Sequence, residues 1–512
     1  MSNAIELALF SSRINAICEQ MGAVLQQTAF SPNIRDRLDY SCAIFDAEGQ
    51  LCAQAAHIPV HLGSMAFAMR DIVRARKWQD GDTVILNNPF MGGTHLPDVT
   101  FISPVFVDSQ LHAFVTNRAH HADIGSESPG SMPISSSIEE EGMLISPTLI
   151  GKDGRILEDV LHAFTRQLRA PAISEADFKA QFSVNQTGKQ VLIGLINNCT
   201  QNSFADYLQE LNEYARRIAG HVLASIPDGE YRFHDVMDDD GLGNTDITID
   251  CTVRAHRGDI TLDFTGTSHQ VKGNINCPLS VTAAAVYYCF RCLMPDYIPN
   301  CAGSFDLIKL QVPERSLLHA EYPAAVAAGN VETSTRVVDV VLGALAQAIP
   351  EKIPAASHGS MNNLAMGAEH WSYYETLGGG MGASKNNDGC NAVQTHMTNT
   401  LNTPVEILEL HYPLRLKAYG IRTGSGGDGL HSGGAGLVRH YQFLQPAHAT
   451  LLTERRHSKP WGLKAGESGK AGENRLNGKL LAAKTSMRVN PGDELVIKTP
   501  GGGGWGQSKR VD

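Results

Sequence analysis

Four glycine-rich stretches, at residues 378–380, 424–429, 433–436 and 501–504, constrain the fold of this chain more than any other feature. Glycine loses more backbone freedom on folding than any other residue, so such density belongs where backbones approach closely or turn sharply. The C-terminal part should therefore consist of short strands and glycine loops. No fixed-period repeat accompanies the glycines, which argues against a solenoid or propeller.

The patterning upstream is different. Ile5, Phe10, Ile14, Ile17, Met21, Val24 and Leu25 recur at helical spacing, and this helix should end near Ala29, before Ser31-Pro32. A second helix is expected over 62–77. Strands are expected over 40–45, 83–86, 99–107 and 110–117, the last two as a hairpin around Asp108-Ser109. Residues 125–155 form a long Gly/Ser/Pro-rich connection with an acidic run at 139–141, and that length points to a functional or partner-bound segment. Helices follow within 175–225, strands within 231–264, and two buried helices near 278–293 and 332–349. The fold class is α/β or α+β, with mixed sheets and several domains. The expected regions are 1–228 with the metal site, a mixed β/helical 229–350, and the Gly-rich 351–512.

Composition removes several function classes. Asp plus Glu number 53 against 42 Lys plus Arg, a net charge of −11, so a dedicated nucleic-acid binder is not expected. No apolar run approaches the ~20 residues of a membrane span, and no charged n-region of a signal peptide precedes Arg13. The ten irregularly spaced cysteines read as reduced thiols of a cytoplasmic protein.

The chemistry concentrates in Asn88-Pro89-Phe90-Met91-Gly92-Gly93-Thr94-His95-Leu96-Pro97-Asp98 and Asn117-Arg118-Ala119-His120-His121-Ala122-Asp123. In a regular hairpin turning at 108–109, cross-strand partners put Asp98 opposite Ala119 and His120 opposite Pro97. His95, Asp98, His120 and His121 then gather at the open end of the ribbon, across a strand spacing of about 5 Å. Imidazole plus carboxylate suits Zn²⁺, Mn²⁺ or Fe²⁺, and an open coordination position would lower the pKa of a bound water. The alternative is a set of polar residues capping a hairpin, and Pro104 demands an edge or a bulge. His57 and His61 flank Pro59, which excludes a clean helical pair between them. They either line the site or are satisfied structural histidines. Asp36 and Asp39 sit beside Arg35 and Arg37, so charge pairing is the simple explanation there.

Other motifs carry less. Two stretches fit G-x-G-x-x-G, but neither opens a βαβ unit, and no Walker A sequence is present. Cys289-x-x-Cys292 reads as core cysteines. Thr453-Glu454-Arg455-Arg456-His457-Ser458-Lys459 reads as a cationic cluster, either a solvated face or a contact for phosphate or a partner carboxylate.

Arg37-Leu38-Asp39-Tyr40-Ser41-Cys42-Ala43, Gly92-Gly93-Thr94-His95-Leu96-Pro97-Asp98 and Arg118-Ala119-His120-His121-Ala122-Asp123-Ile124-Gly125 resemble the hydantoinase B family. So do Gly329-Asn330-Val331-Glu332-Thr333-Ser334, Gln394-Thr395-His396-Met397-Thr398-Asn399-Thr400 and the terminal Pro500-Gly501-Gly502-Gly503-Gly504-Trp505-Gly506. Together they run over nearly the whole chain. Gly125-Ser126 departs from the pattern, and Ser357-His358-Gly359 is a loose match that leaves His358 without a role.

The resemblance implies the metal-holding B subunit of an ATP-dependent hydrolase of cyclic amides, of the hydantoin, lactam (caprolactamase) or 5-oxoproline type. An A-type subunit would use ATP to phosphorylate the amide oxygen, in an A₂B₂ assembly. The metal ligands it implies are Asp39, His95, Asp98 and His120, for Mn²⁺ or Zn²⁺. His121 or Asp123 would be the general base, with His57 and His61 as further candidates, and the C-terminal glycine loops would offer N–H groups to phosphate. Two alternatives remain: a subunit of an ATP-dependent ketone carboxylase, or a non-catalytic metal-binding scaffold for the A subunit.

Overall fold

A computed structural model describes residues 4–56, 58–199 and 203–508. The N-terminal periodicity becomes helix α1 (Ala4–Thr28), whose Phe10, Ile14, Ile17, Met21 and Leu25 form one buried stripe. A single turn, α2 (Pro32–Arg35), leads into the antiparallel pair β1 (Tyr40–Asp46) and β2 (Leu51–Ala56). The Asp46 carboxylate fixes their turn by accepting from the backbone N–H of Glu48 and Gln50. Helix α3 (Pro59–Arg74) starts three residues earlier than its apolar pattern suggests. Pro59 occupies its first position, where a missing N–H leaves no bond unmade. His61 therefore sits in the first helical turn.

Strands β3 (Thr83–Leu86), β4 (Asp98–Val107), β5 (Gln110–His120), β6 (Thr148–Lys152) and β7 (Arg155–Ile156) complete a sheet of order β2-β1-β5-β4-β3-β6-β7. The β4–β5 turn has positive φ at both Asp108 and Ser109, as a tight two-residue hairpin requires. Its register departs from the regular hairpin. Val107 faces Gln110 and Phe106 faces Leu111, but a bulge follows, and from Val105–Ala113 onward every pairing is shifted by one. Asp98 consequently faces His120, and Val99 faces Ala119. Pro104 lies beyond Ile102, where the β3 pairing with β4 ends. Helices α4 (Glu158–Thr165), α5 (Pro171–Asn197) and α6 (Phe204–Leu223) follow. Asn185 and Gln181 of α5 bond to Asn117 of β5.

A second sheet contains β8 (Gly229–Asp239), β9 (Thr245–His256), β10 (Asp259–Asp263) and β11 (Ile308–Gln311), with β10 and β11 parallel. Helix α7 (Leu279–Arg291) packs on α3 so closely that a Cβ on Gly63 would lie 2.6 Å from the Ala284 Cα. Helix α8 (Ser334–Ala348) is buried nearly throughout. Around α9 (Val405–His411), a third sheet joins β12 (Asn363–Ala368), β13 (Trp371–Glu375), β16 (Ala447–Leu452) and β19 (Lys484–Val489). A fourth joins β14 (Leu414–Arg422), β15 (Gly436–Phe443), β17 (Glu473–Leu476), β18 (Lys479–Leu480) and β20 (Glu494–Lys498). The mixed-sheet α+β expectation holds. The largest apolar core runs from Phe10 to Leu452, through α1, α6, α7 and α8. No helix among the described residues is long and apolar enough to cross a membrane.

The terminal glycines pack against other backbones. A Cβ on Gly501, Gly502, Gly503 or Gly504 would fall 2.0–2.3 Å from the carbonyl oxygen of Ser425, Met381, Trp461 or Asp428 respectively. Their N–H groups donate to Lys470, Gly434, Ala356 and Glu467. The expectation that these loops present N–H groups to phosphate is therefore corrected for 501–504: those donors hold neighbouring segments together.

The 453–459 cluster is also corrected. Only its end is solvated: His457 and Lys459 are exposed, whereas Thr453, Glu454 and Arg455 are buried. Glu454 and Arg455 are buried and join an ionic network, in which Glu454 accepts from Lys484 and Arg336 and Arg455 bonds Asp235 and Asp339.

Candidate metal centre

The loop between β3 and β4 folds back because Asn87 and two glycines allow it. The Asn87 side chain donates to the carbonyls of Leu96 and Met143 and accepts from Ile145 N–H. Gly92 has φ of 96°, a left-handed conformation that glycine adopts freely. A Cβ on Gly93 would come within 2.3 Å of the Asn87 carbonyl oxygen. Beneath this loop Arg118 is buried. It donates to Thr100 Oγ1, Ser64 Oγ and the Gly92 carbonyl, at 2.7–2.9 Å. The loop thus returns His95 to Asp98, and the strand pairing brings His120 to the same carboxylate.

Each of the three side chains is oriented by a neighbour. His95 Nδ1 lies 3.2 Å from the Ala327 carbonyl, which makes Nδ1 the protonated nitrogen and leaves the Nε2 lone pair free. Asp98 Oδ2 accepts from Thr94 Oγ1 at 2.5 Å, His61 Nε2 at 3.2 Å and Asn330 Nδ2 at 3.4 Å. His120 stacks on Tyr374, with ring centroids 4.8 Å apart and planes 5° from parallel, and its Nδ1 faces the Asn33 amide at 3.2 Å. His95 Nε2, Asp98 Oδ1 and His120 Nε2 remain buried without a hydrogen-bond partner. Ligand atoms of the three residues lie within 4.8 Å of one another. Orphaned buried polar atoms are uncommon and call for an explanation; three that converge from two imidazoles and a carboxylate fit a divalent cation.

The atoms face a buried cavity of about 20 Å³, also lined by Asp39, His61, Asn330, Tyr374, Thr376, Thr398 and Thr400. Burial pushes Asp98 up, but the His95 and His61 imidazoles outweigh it and hold the carboxyl well below the usual range. Burial holds His120 well below its ordinary value. Asp39 is pushed up by burial, against the opposing pull of Arg37. Burial lowers His95, but the Asp98 carboxylate 3.3 Å from its Nε2 outweighs it and raises the imidazole above its ordinary value. An ionised Asp98 and a neutral His120 suit cation ligation, whereas His95 would have to release its Nε2 proton to a bound cation.

Other candidates fall elsewhere. Asp39 lines the cavity but stands outside the 4.8 Å cluster. His61 lines it too, with Nδ1 on Ser41 Oγ at 3.2 Å. His57 lies outside the described residues. His121 points to the other side of β5, where its Nε2 pairs with Gln181 Oε1 at 2.8 Å and its ring packs on Phe178. Asp123 is a loop pin, accepting from Gly125 N–H, Arg169 N–H and Ser131 Oγ. Neither reaches the cavity. Arg35 pairs with Asp36, whereas Arg37 turns inward to the Tyr374 carbonyl and Thr376 Oγ1. Cys289 is buried. His358 is buried against Gly379 and away from the cavity lining. A second carboxylate–imidazole group, Glu158, His162 and Glu175, lies near the surface, where Lys179 pairs with both glutamates.

Sequence reasoning assigned no role to Asn330, Tyr374, Thr376, Thr398 or Thr400. Asn330, Thr398 and Thr400 stand within the quoted motifs, which was the available signal. Asn330 enters the cavity from a π-helical turn, Gly329–Thr333, ahead of α8, an irregularity often found at functional positions.

The hydantoinase B/oxoprolinase sequence profile matches residues 3–508. The chain is 39% identical to 5-oxoprolinase 1 of Arabidopsis thaliana, over 99% of its own length and 42% of that protein. It thus spans about two fifths of the length of that relative, and the same holds for 5-oxoprolinases of Dictyostelium discoideum and Saccharomyces cerevisiae. Among solved structures, the ATP-dependent caprolactamase of Pseudomonas jessenii superposes with a TM-score of 0.93 at 25% identity, covering 99% of this chain and 92% of that one. A nucleotide-free acetone carboxylase shares the fold, with a TM-score of 0.87 at 18% identity, over 98% of this chain and 76% of that one.

Proposed function

The chain belongs to the hydantoinase B/oxoprolinase family, and from that premise we propose that it completes the ATP-dependent hydrolysis of a cyclic amide. The substrate is a hydantoin, a lactam or a 5-oxoproline-type ring. An A-type partner would use ATP to phosphorylate the amide oxygen; water then adds to the activated carbon, the ring nitrogen leaves with a proton as an amine, and hydrolysis of the remaining acyl phosphate gives the carboxylate and phosphate. The proposed assembly is A₂B₂ and cytoplasmic. The observation that carries the reading is the convergence of His95 Nε2, Asp98 Oδ1 and His120 Nε2, all buried and without a hydrogen bond, the first two 3.3 Å apart.

These three residues would hold Mn²⁺ or Zn²⁺, with Asp39 as the fourth ligand from the same cavity wall. Bound there, the cation supplies a Lewis acid that activates water and stabilises charge developing on oxygen. The chain's own residues do the positioning. The Ala327 carbonyl holds the His95 hydrogen on Nδ1. Thr94 and His61 occupy Asp98 Oδ2, so that Oδ1 faces the cavity. The Asn33 amide sets its Nδ2 against His120 Nδ1 at 3.2 Å while its Oδ1 accepts from Arg37 Nη1 at 3.4 Å; ligation through His120 Nε2 would put the ring hydrogen on Nδ1 and turn this amide, at the expense of the Arg37 contact. Among the base candidates His61 lines the cavity, but its Nε2 is held by Asp98 and its Nδ1 by Ser41, so we assign it to positioning Asp98; His121 and Asp123 are engaged outside the cavity.

The test is reconstitution with an A-type partner, ATP and a panel of 5-oxoproline, hydantoins and lactams. ATP-dependent ring opening that disappears in His95→Ala supports the proposal. Bicarbonate-dependent consumption of a ketone, with no ring opened, would replace it with the carboxylase reading. Equal turnover with and without a functional metal cluster would leave the scaffold reading.

A further inference from the structure

One wall of the cavity consists of hydroxyl groups. Thr376, Thr398 and Thr400 line it, and each is more than nine-tenths buried. Their hydrogen-bond directions follow from their neighbours. Thr376 Oγ1 lies 3.2 Å from Arg37 Nη2, 3.2 Å from Gln394 Nε2 and 2.6 Å from Thr400 Oγ1. A guanidinium only donates. The Gln394 amide is oriented by its second contact, since Nε2 also lies 3.4 Å from the Thr376 carbonyl oxygen, which only accepts. Two donors fill both lone pairs of Thr376 Oγ1, so its own hydrogen goes to Thr400. Thr400 accepts there and must direct its hydrogen elsewhere. Among the described residues the other oxygen near it is Thr398 Oγ1, at 3.5 Å, the limit of a hydrogen bond. Arg37 and Gln394 therefore set up a one-way relay that ends in an O–H donor at the cavity.

We infer that this wall is a carboxyl subsite, in which Thr400 donates to an oxygen of a carbonyl or carboxylate group held beside the His95–Asp98–His120 cluster. Thr400 is the binding residue, and Arg37 and Gln394 are positioning residues. The inference rests on the reading of this cavity as the reaction site and adds the substrate group it takes. Once the amide oxygen carries phosphate, the oxygen this donor meets is the one that arrives with water: it develops carbonyl character as the ring nitrogen leaves and remains in the product carboxylate. A donor aimed in advance at a developing negative oxygen is an effective form of transition-state stabilisation.

Formate, the smallest carboxylate, is the probe. Saturation-transfer NMR of its proton is measured with the full chain and with Thr400→Val, Thr400→Ala, Thr400→Ser and Gln394→Glu. Metal content is measured on the same samples, so a failure of the metal reading is seen separately. Thr400→Ser keeps the donor and should bind formate as the wild type does. Thr400→Val and Thr400→Ala remove it and should weaken binding about ten-fold; the second guards against a valine that disturbs folding. Gln394→Glu replaces a donor to Thr376 with an acceptor, reverses the relay and should weaken formate similarly. Undetectable binding to the wild type, or affinity unchanged in both Thr400→Val and Thr400→Ala, would each overturn the subsite.

Discussion

Asp98 faces His120 directly across β4 and β5 because the hairpin bulges between Val105 and Phe106. A regular hairpin would pair Asp98 with Ala119, and since side chains alternate along a strand, a slip of one residue turns His120 to the other face of the sheet. The bulge next to the turn is thus what sets a carboxylate opposite an imidazole at the far end of the ribbon. Bulges commonly re-aim side chains in this way.

If those atoms hold a cation, their removal must release it. Asp98→Asn keeps the size of the side chain and removes its charge, and His120→Ala removes a nitrogen. Both should reduce metal content, measured by inductively coupled plasma mass spectrometry, from about one ion per chain to under about a tenth. His121→Ala, on the opposite face against Gln181, should keep the wild-type content. Retention of a full ion by both Asp98→Asn and His120→Ala would exclude this cluster as the site.

The buried ionic network makes Glu454 a sensitive position. Its carboxylate accepts from Lys484 Nζ at 2.5 Å, Arg336 Nη2 at 3.3 Å and Asp238 N–H at 2.9 Å, and the Lys484 and Arg336 side chains are fully buried. Glu454→Ala takes the nearest carboxylate from two buried cations, leaving Lys484 the Asp239 carboxylate at 3.7 Å and Arg336 those of Asp235 and Asp339 at 3.7–3.8 Å, and should cost about 3 kcal/mol. Arg232 pairs with Asp250 but is 67% exposed, so Arg232→Ala should cost under about 1 kcal/mol. Urea denaturation of the two variants distinguishes these values.

The same contrast explains what was legible in the sequence. Local patterns carried α1, β3 and the β4–β5 ribbon, because a helical stripe and a two-residue turn are encoded by near neighbours. The Gly92-Gly93 turn and the histidine-bearing strand end were enough to suggest that His95, Asp98 and His120 approach one another. Pro104 signalled an edge or a bulge, and the bulge lies beside it between Val105 and Phe106, but its position and the resulting one-residue shift were not legible, since nothing in Val105–Ala113 distinguishes one pairing from the next. Tyr374, Thr376 and Thr400 reach the cavity only through tertiary packing, more than 250 residues along the chain from His120. The 453–459 segment looked like a surface because charged residues usually are exposed; its partners, Asp235, Arg336 and Lys484, are scattered along the chain.

Backbone packing at the terminal glycines permits a steric test. A Cβ on Gly502 would sit 2.1 Å from the Met381 carbonyl oxygen and 2.3 Å from its carbon, and neither atom is the end of a flexible side chain. Gly502→Ala should lose at least about 3 kcal/mol or fail to accumulate as folded protein. Gly194 lies in α5 with nothing within 4 Å of its added Cβ. Gly194→Ala should instead gain about 0.5–1 kcal/mol from helix propensity. Equal stability of the two variants, by thermal denaturation, would contradict the close packing of residues 501–504.

Glu332 gives stability a pH dependence whose sign can be worked out. Its Oε1 accepts from Met361 N–H and Asn363 Nδ2, while Oε2 is buried without a partner. Burial, reinforced by the nearby Glu454 carboxylate, pushes this acid from its ordinary 4.5 up to about 8. The folded chain therefore keeps the Glu332 proton that the unfolded chain releases above pH 4.5. Where the folded state binds more protons, stability falls as pH rises. The contribution is fully present below pH 4.5 and is lost by about pH 8, on the order of 3–5 kcal/mol at 1.4 kcal/mol per pH unit. Glu332→Gln keeps the accepting oxygen and cannot titrate. Urea midpoints measured between pH 5 and 8.5 should decline more steeply for the wild type than for Glu332→Gln. Parallel profiles would mean that Glu332 is already ionised in the fold, with a buried cation opposite its free oxygen.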